Sequence, residues 1–263
     1  MKLSLVQLTV GPNLDLNLKK LQDLLNESIK FNPDLILLPE CCLFLSNKNK
    51  HFFSINDSCI AYFKNFAKLN NVYLLVGSLP IMDNGRPYNQ SLLIDSQGTI
   101  VSKYNKIHMF DVMLKNGENY RESEYYTSGN DLIISDIQGF KVGHTICYDL
   151  RFPKLYRALA KMGSQIIVVP SAFTQTTGKA HWHTLVRARA IENGVFILAP
   201  NQWGTNEENR STYGHSMVVN PWGDIIAEAG NQEMVLNCQI DLNEVELYQQ
   251  SIPVLSHDRN FEY

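Results

Sequence analysis

Three side chains able to do acid–base or nucleophilic chemistry lie at or near the ends of short apolar segments. Cys147 ends the segment KVGHTIC, Glu40 directly follows LILLP, and Lys106 lies in KYNKIHMFD. A cysteine can act as a nucleophile, a carboxylate as a general base, and an ammonium group can stabilise a developing oxyanion. Each of the three residues also has an ordinary structural explanation that needs no catalytic role.

Cys147 lies where a predicted strand meets a predicted helix. Pro153 suits the first turn of that helix, and Gly163 suits its end. Open α/β sheets place their sites at such junctions, and a positive helix end would favour a thiolate over a thiol with a pKa of about 8.5. Free cysteines are also common as buried apolar filling. The junction alone leaves both interpretations open.

Glu40 is unusual because glutamate is rarely buried without a partner, yet here it follows an apolar strand. It could be a general base whose pKa is raised by burial, or a strand-end residue turned to solvent. Lys106 could stabilise an oxyanion, but a lysine among polar residues is usually just solvated. The same ordinary explanation applies to Glu122 in NYRESEYY.

The pair His181 and His183 has a spacing that metal sites can use. However, AHWHTLVRARAIEN has the apolar periodicity of a helix, where residues two apart point away from each other. We therefore predict no metal site at this pair, and expect Arg187, Arg189 and Glu192 to form ion pairs.

The elements that would position these residues alternate between strand and helix. The apolar runs LILL, YLLV, IIVV and VFIL indicate strands buried on both faces. Helical periodicity covers residues 15–30, 57–70, 153–162 and 181–193. This alternation predicts an α/β fold, with residues 1–263 as one domain. The similarity of DLILLPE to QIIVVPS hints at a duplicated half, and the long irregular stretch at 105–130 is of a kind that is usually functional.

Composition argues against several classes of protein. With 44% hydrophobic and 19% charged residues in 263, the chain can bury a sizeable core. Its net charge of -3 disfavours nucleic-acid binding, and no apolar run approaches the roughly 20 residues of a membrane span. The N-terminal segment is expected to be a strand and not a signal peptide. Five cysteines without a C-x-x-C pair indicate a reducing compartment, so we predict a cytoplasmic protein. The usual nucleotide-binding and serine-hydrolase motifs are missing.

Five segments together resemble the nitrilase, or carbon–nitrogen hydrolase, superfamily over nearly the whole chain. They are LLPE, KIHMFD, GHTICYDLRFP, PSAFTQTTGKAHWHTLVRARAIEN and YGHSMVVNPWGDIIAEAG. The resemblance implies a four-layer α-β-β-α sandwich that pairs into a homodimer or higher homo-oligomer, with the last 15 or so residues at the interface. It implies Glu40 as general base, Lys106 as oxyanion stabiliser and Cys147 as nucleophile, without a metal or organic cofactor. A second family glutamate would be Glu122, with Glu124 as the alternative.

Two groups within the superfamily are similar to this chain: deaminated glutathione amidases and omega-amidases acting on 2-oxoglutaramate. The segments after Pro170 resemble the first group more, which implies hydrolysis of deaminated glutathione to 2-oxoglutarate and Cys-Gly. In both groups the position of Arg151 implies binding of a substrate carboxylate, although an ion pair with Asp149 is the alternative. Thr177, Tyr148 and Phe173 are further expected substrate contacts.

Two other classes are disfavoured. A non-catalytic binding module of the same fold would not need all three triad residue types. A cysteine protease would need a histidine beside Cys147, whereas His144 lies on the other face of the same strand. The segments ECCLFLSNKNKHFF and FDVMLKNGENYRESE are expected to set substrate choice, and the second to border the leaving-group side.

Overall fold

Two six-stranded β-sheets form the centre of the structure, a computed structural model that describes residues 1–114 and 117–259. The strands are β1 (Lys2–Gln7), β2 (Leu35–Leu37), β3 (Tyr73–Asp83), β4 (Arg86–Ile94), β5 (Ile100–Asn105), β6 (Asp111–Met113), β7 (Asn119–Arg121), β8 (Ile134–Ile137), β9 (Phe140–His144), β10 (Ile166–Val168), β11 (Phe196–Ala199), β12 (Trp203–Thr205), β13 (Ser211–Tyr213), β14 (Met217–Val219), β15 (Ile225–Glu228) and β16 (Met234–Gln239). The α-helices are α1 (Leu14–Ser28), α2 (Ser58–Asn70), α3 (Pro153–Lys161), α4 (Gln175–Asn193) and α5 (Asn243–Ser251). Three short 3-10 helices span Ile29–Phe31, Glu122–Glu124 and Cys147–Arg151.

The two sheets repeat the same pattern of strand directions. The first sheet has the order β16-β1-β2-β3-β4-β5, with β1, β2 and β3 parallel and the flanking strands antiparallel. The second has the order β8-β9-β10-β11-β14-β15, with β9, β10 and β11 parallel and the flanking strands antiparallel. The similar segments DLILLPE and QIIVVPS carry β2 and β10, which are equivalent in this pattern. The structure therefore agrees with the predicted duplication.

Apolar side chains on both faces of each sheet create the layers. Leu37 of the first sheet and Ile166 of the second belong to the core between the sheets, and both are fully buried. On the outer face of the first sheet, Leu21 of α1 and Phe63 of α2 belong to a second core. On the outer face of the second sheet, Trp182 of α4 is fully buried in a third. Burying each such side chain contributes about 1.5–3 kcal/mol, which holds the predicted α-β-β-α sandwich together.

The carboxyl ends of several strands meet at one edge of the sandwich. β2 and β5 run in the same direction in the first sheet, and Glu40 and Lys106 follow them within three residues. β9 and β10 are parallel in the second sheet, and Cys147 and Ala172 follow them within four. Because parallel strands end together, this edge collects residues that are distant in sequence.

One helix near this edge differs from the prediction. The helix α4 begins at Gln175 and not at residue 181, because the Thr174 side chain caps it by accepting from the Thr177 N–H at 3.3 Å. The polar first turn has none of the apolar periodicity used to predict the helix. By contrast, α3 begins at Pro153 as predicted, after a 3-10 helix that starts at Cys147. Within the described ranges, no helix is both long and apolar enough to cross a membrane.

The C-terminal segment packs on its own chain as far as it is described. Asp258 lies 2.8 Å from Lys161 Nζ and 3.8 Å from Arg157 Nε, both on α3. Residues 260–263, the end of the tail predicted to reach a partner subunit, lie outside the described residues.

Candidate active site

Glu40 is a buried carboxylate surrounded by hydrogen-bond donors. Its Oε1 accepts from Lys106 Nζ at 2.8 Å and Asn89 Nδ2 at 2.9 Å, and its Oε2 accepts from the Ala172 N–H at 2.9 Å. Burial raises the pKa of Glu40, but the Lys106 charge and hydrogen bonds from Lys106, Cys147 and Ala172 lower it below its usual value. The predicted upward shift was wrong, because LILLPE does not reveal donors that come from four other segments of the chain.

Cys147 is a buried thiol beside that carboxylate. It adopts a positive φ of 46°, and its N–H donates to Pro170 O at 2.9 Å. Burial and the negative charge of Glu40 raise the pKa of Cys147 well above its usual value, although Lys106 opposes this. The expected thiolate was therefore wrong, because burial and the charge of Glu40 outweigh any effect of the nearby helix end on the thiol. The resting site holds a neutral thiol next to an ionised base.

Lys106 joins two carboxylates. In addition to Glu40, its Nζ lies 3.0 and 2.8 Å from the two oxygens of Glu122. Burial would lower the pKa of Lys106, but the charges of Glu122 and Glu40 raise it well above its usual value. Glu124 is exposed and lies 3.8 Å from Arg121 Nε. Of the two alternatives from the sequence, Glu122 is therefore the one beside Lys106.

Asn89 was not predicted from the sequence. Its Nδ2 donates to Glu40 Oε1 at 2.9 Å and to Glu122 Oε1 at 3.0 Å, so it holds the two carboxylates on either side of Lys106. Its side chain is 1% exposed. The available signal was a pair of adjacent amides, Asn89 and Gln90, before the apolar end of the strand in YNQSLLID.

A cavity of about 610 Å³ opens above this cluster. Glu40, Lys106 and Cys147 are among its lining residues. Of the predicted substrate contacts, Tyr148, Phe173 and Thr177 also line it. This volume is typical of small-molecule sites.

A family model described as carbon-nitrogen hydrolase matches residues 2–250. The chain belongs to the carbon–nitrogen hydrolase family. A deaminated glutathione amidase of Dictyostelium discoideum is 37% identical over 276 residues, which cover 100% of this chain and 95% of that relative. An omega-amidase NIT2-A of Xenopus laevis is 35% identical over 267 residues, covering 100% and 96%. The crystal structure of the Caenorhabditis elegans NitFhit protein has a TM-score of 0.91 and 34% identity, covering 98% of this chain and 65% of that one. The predicted family, fold and enzyme class, hydrolases acting on amides, are thereby confirmed.

Arg151 of this carbon–nitrogen hydrolase lies at the edge of the site and is not among the residues lining the cavity. Its guanidinium carbon is 5.8 Å from the ring centre of Tyr148 and 5.3 Å from that of Phe173. Both terminal nitrogens lie 3.3 Å from His181 Nδ1. The alternative ion pair with Asp149 is not formed, because Asp149 is fully buried and turned toward other donors.

Asp149 connects the segments that carry Lys106 and Cys147. Its Oδ2 accepts from Tyr104 Oη at 2.7 Å and the Ile146 N–H at 2.9 Å. Its Oδ1 accepts from the His108 N–H at 3.0 Å and lies 2.7 Å from His108 Nδ1. Tyr104 and His108 flank Lys106, and Ile146 precedes Cys147, so one carboxylate ties both segments of the carbon–nitrogen hydrolase site.

Three histidines of α4, β9 and the segment before β14 have partners other than Cys147. His144 is buried on the other face of β9, 2.8 Å from Ser135 Oγ, and burial lowers the pKa of His144 to about 4. His183 Nε2 and His215 Nδ1 lie 2.9 and 2.6 Å from Glu228 Oε1. These three side chains are the group that could hold a cation among the described residues. Because His181 contacts Arg151 instead, the two residues of the H-x-H pair have different partners.

The predicted ion pairs on α4 are formed in part. Arg189 Nη1 lies 2.9 Å from Glu192 Oε2. Arg187 differs from the prediction: its Nε donates to Gly223 O at 2.7 Å, a backbone carbonyl and not a carboxylate.

Proposed function

We propose that this protein is an amidase that hydrolyses deaminated glutathione to 2-oxoglutarate and Cys-Gly, with Cys147 as nucleophile. The observation that carries the proposal is the cluster of buried Glu40 and Lys106 with partly buried Glu122 beside the Cys147 thiol, lining a cavity of about 610 Å³. The relatives named deaminated glutathione amidase support the substrate.

Acylation begins with a proton transfer. The Cys147 thiol gives its proton to the Glu40 carboxylate while sulfur attacks the amide carbonyl, forming a carbon–sulfur bond. The Lys106 ammonium stabilises the oxyanion, together with the Tyr148 N–H in the first turn of its 3-10 helix, where N–H groups have no partner within the helix. The carbon–nitrogen bond then breaks, and Glu40 returns its proton to the departing amine of Cys-Gly.

Deacylation uses the same residues. Glu40 takes a proton from water, whose oxygen attacks the thioester carbon, and the carbon–sulfur bond breaks. The proton returns to the Cys147 sulfur as 2-oxoglutarate leaves. Glu122 and Asn89 keep Lys106 and Glu40 in place during both steps.

The acyl end of the substrate would be held by the residues next to the nucleophile. Arg151 would bind the 2-oxo carboxylate, with Thr177, Tyr148 and Phe173 as further contacts. Contact between Arg151 and the Tyr148 and Phe173 rings supports this. Arg151→Ala should mainly raise KM for substrates with a free 2-oxo carboxylate, and equal effects on amides lacking it would refute the role.

An omega-amidase acting on 2-oxoglutaramate is the second candidate, favoured by the full-length similarity to the Xenopus laevis enzyme. The two activities are separated by measuring kcat/KM for both substrates on one preparation. We expect deaminated glutathione to be preferred, and a tenfold preference for 2-oxoglutaramate, about 1.4 kcal/mol, would reverse the assignment. Cys147→Ala should abolish both activities while the melting temperature stays near that of the wild type. Retained turnover would exclude the thioester.

We also propose a cytoplasmic homodimer whose chain folds as one domain with the tail at the interface. Five free cysteines support a reducing compartment. Exposed Trp222 and Leu247, with Ile252 beyond α5, offer an apolar surface near the tail. Cell fractionation tests the cytoplasmic location. Sedimentation of the full chain, compared with a chain ending at Ser251, tests the dimer and the role of the tail. A single cooperative unfolding transition tests the single domain.

A further inference from the structure

Two loops from different parts of the chain, residues 44–51 and residues 206–210, form one wall of the cavity. Glu208 in the second loop accepts from Ser46 Oγ at 2.8 Å and the Asn47 N–H at 2.6 Å in the first. Arg210 Nη1 donates to Asn47 Oδ1 at 3.3 Å. The bonds fix the loop that carries Lys50 against the loop that carries Arg210, and both cations line the cavity.

Among the described residues, neither cation forms a salt bridge with a carboxylate. In the described ranges, no acidic oxygen lies within 4 Å of Lys50 Nζ or of the Arg210 guanidinium. Lys50 Nζ lies 3.4 Å from the Tyr125 ring centre, and Arg210 Cζ lies 5.3 Å from that of Tyr120. The Arg210 Nε is buried without a hydrogen-bond partner among described residues. Burial, together with the charge of Arg210, lowers the pKa of Lys50.

The cavity carboxylates interact elsewhere. Glu40 and Glu122 both form ion pairs with Lys106. Glu118 accepts from Tyr120 Oη at 2.7 Å and Thr176 Oγ1 at 2.9 Å. Glu124 lies nearest to Arg121. The wall formed by the two loops therefore presents two cations to a site for small molecules, against the one carboxylate of Glu208 that joins the loops. An anion there would gain charge-assisted hydrogen bonds from Lys50 and Arg210.

We infer that Lys50 and Arg210 form a subsite that binds the carboxylate of the departing amine. The inference rests on the proposed function and deepens it. Cys-Gly carries a free carboxylate at most about 7 Å from its amino nitrogen, since two residues span no more than that. Ammonia, the leaving group of an omega-amidase, carries none. The subsite therefore selects peptide-like amides that end in a carboxylate over simple amides.

The experiment compares deaminated glutathione with its C-terminal amide, which differs only in the charge of that end. For the wild type we expect kcat/KM to favour the acid about tenfold, mainly through KM. Lys50→Met and Arg210→Met should each reduce that ratio at least threefold. Lys48→Met, an exposed neighbour outside the cavity lining, should keep it. Because each ratio comes from one preparation, partial loss of folded protein cancels.

Binding separates this inference from the proposed function. In the Cys147→Ala background, titration calorimetry with the same two compounds measures affinity without turnover. In Cys147→Ala, the acid should bind more tightly than the amide. This difference in affinity should disappear when Arg210→Met is added to Cys147→Ala. That result supports the subsite even where the wild type does not hydrolyse deaminated glutathione. Equal affinity for acid and amide, or a wild-type ratio near one, overturns it. A wild type that prefers the acid with unchanged ratios in both variants also overturns it.

Discussion

Cys147 and Glu40 share a proton that the resting site keeps on sulfur. Burial and the charge of Glu40 raise the pKa of Cys147, whereas Lys106 and three hydrogen bonds hold that of Glu40 low. The thiol is therefore protected from the adventitious oxidation and alkylation that thiolates suffer. The proposed proton transfer is uphill until a bound carbonyl accepts the sulfur, since the oxyanion then takes up the negative charge beside Lys106. The proposed base and nucleophile would consequently act only with substrate present.

Glu40→Gln removes the proposed base and nearly preserves its shape. We expect kcat/KM to fall about 10²- to 10⁴-fold, the usual contribution of general base catalysis, because the thiol loses its acceptor. Steady-state kinetics with circular dichroism checks this. The matched control is Glu124→Gln, an exposed glutamate that also borders the cavity, and it should retain most activity. A Glu40→Gln enzyme with more than a tenth of wild-type activity would require another base.

At the scale of elements, Asp149 couples the two sheets. It is 0% exposed and fixes Tyr104 and His108 around Lys106, as well as Ile146 before Cys147. Lys106 comes from the first sheet and Cys147 from the second, so their distance depends on how the sheets meet. A buried carboxylate with donors from both sides makes that distance specific.

Asp149→Asn should disturb this positioning. The new amide NH₂ would face an N–H or O–H donor wherever it points, leaving buried donors unpaired. We expect kcat to fall about 10- to 100-fold with a smaller change in KM, since small displacements of reacting groups carry such costs. Asp131→Asn, at an exposed aspartate, serves as control. Wild-type kcat in Asp149→Asn would show that the sheets hold the site without this link.

The elements themselves were largely predictable, because they depend on local patterns. Apolar runs gave the buried strands and helical spacing gave α1, α2 and α3. The start of α4 was missed, since its first turn is polar and held by the Thr174 cap. Side-chain environment was not predictable from local patterns. Asn89 and the pKa shifts of Glu40 and Cys147 depend on contacts between distant segments.

On the scale of the whole molecule, Lys106 balances two carboxylates, the buried Glu40 and the partly buried Glu122. A pKa of Glu40 below its unfolded value stabilises the fold above about pH 4.5, and this stability is lost as pH falls further. A pKa of Lys106 above its unfolded value stabilises the fold below about pH 10.5, and this stability is lost at higher pH. Between pH 5 and 8 both contributions are constant. The cluster gives the wild type no pH dependence of stability there.

Lys106→Met should make the stability of the fold decrease with rising pH in this range. Without the cation, burial dominates and raises the pKa of Glu40, so that the folded state binds more protons than the unfolded state above pH 4.5. The free energy of unfolding should then decrease as pH rises from 5 to 8. At pH 7 the loss should be about 3–5 kcal/mol, since a buried charge is left unpaired. Urea denaturation at several pH values measures this. Lys103→Met, at an exposed lysine on β5, is the control, and a curve parallel to the wild type in Lys106→Met would contradict the charge balance.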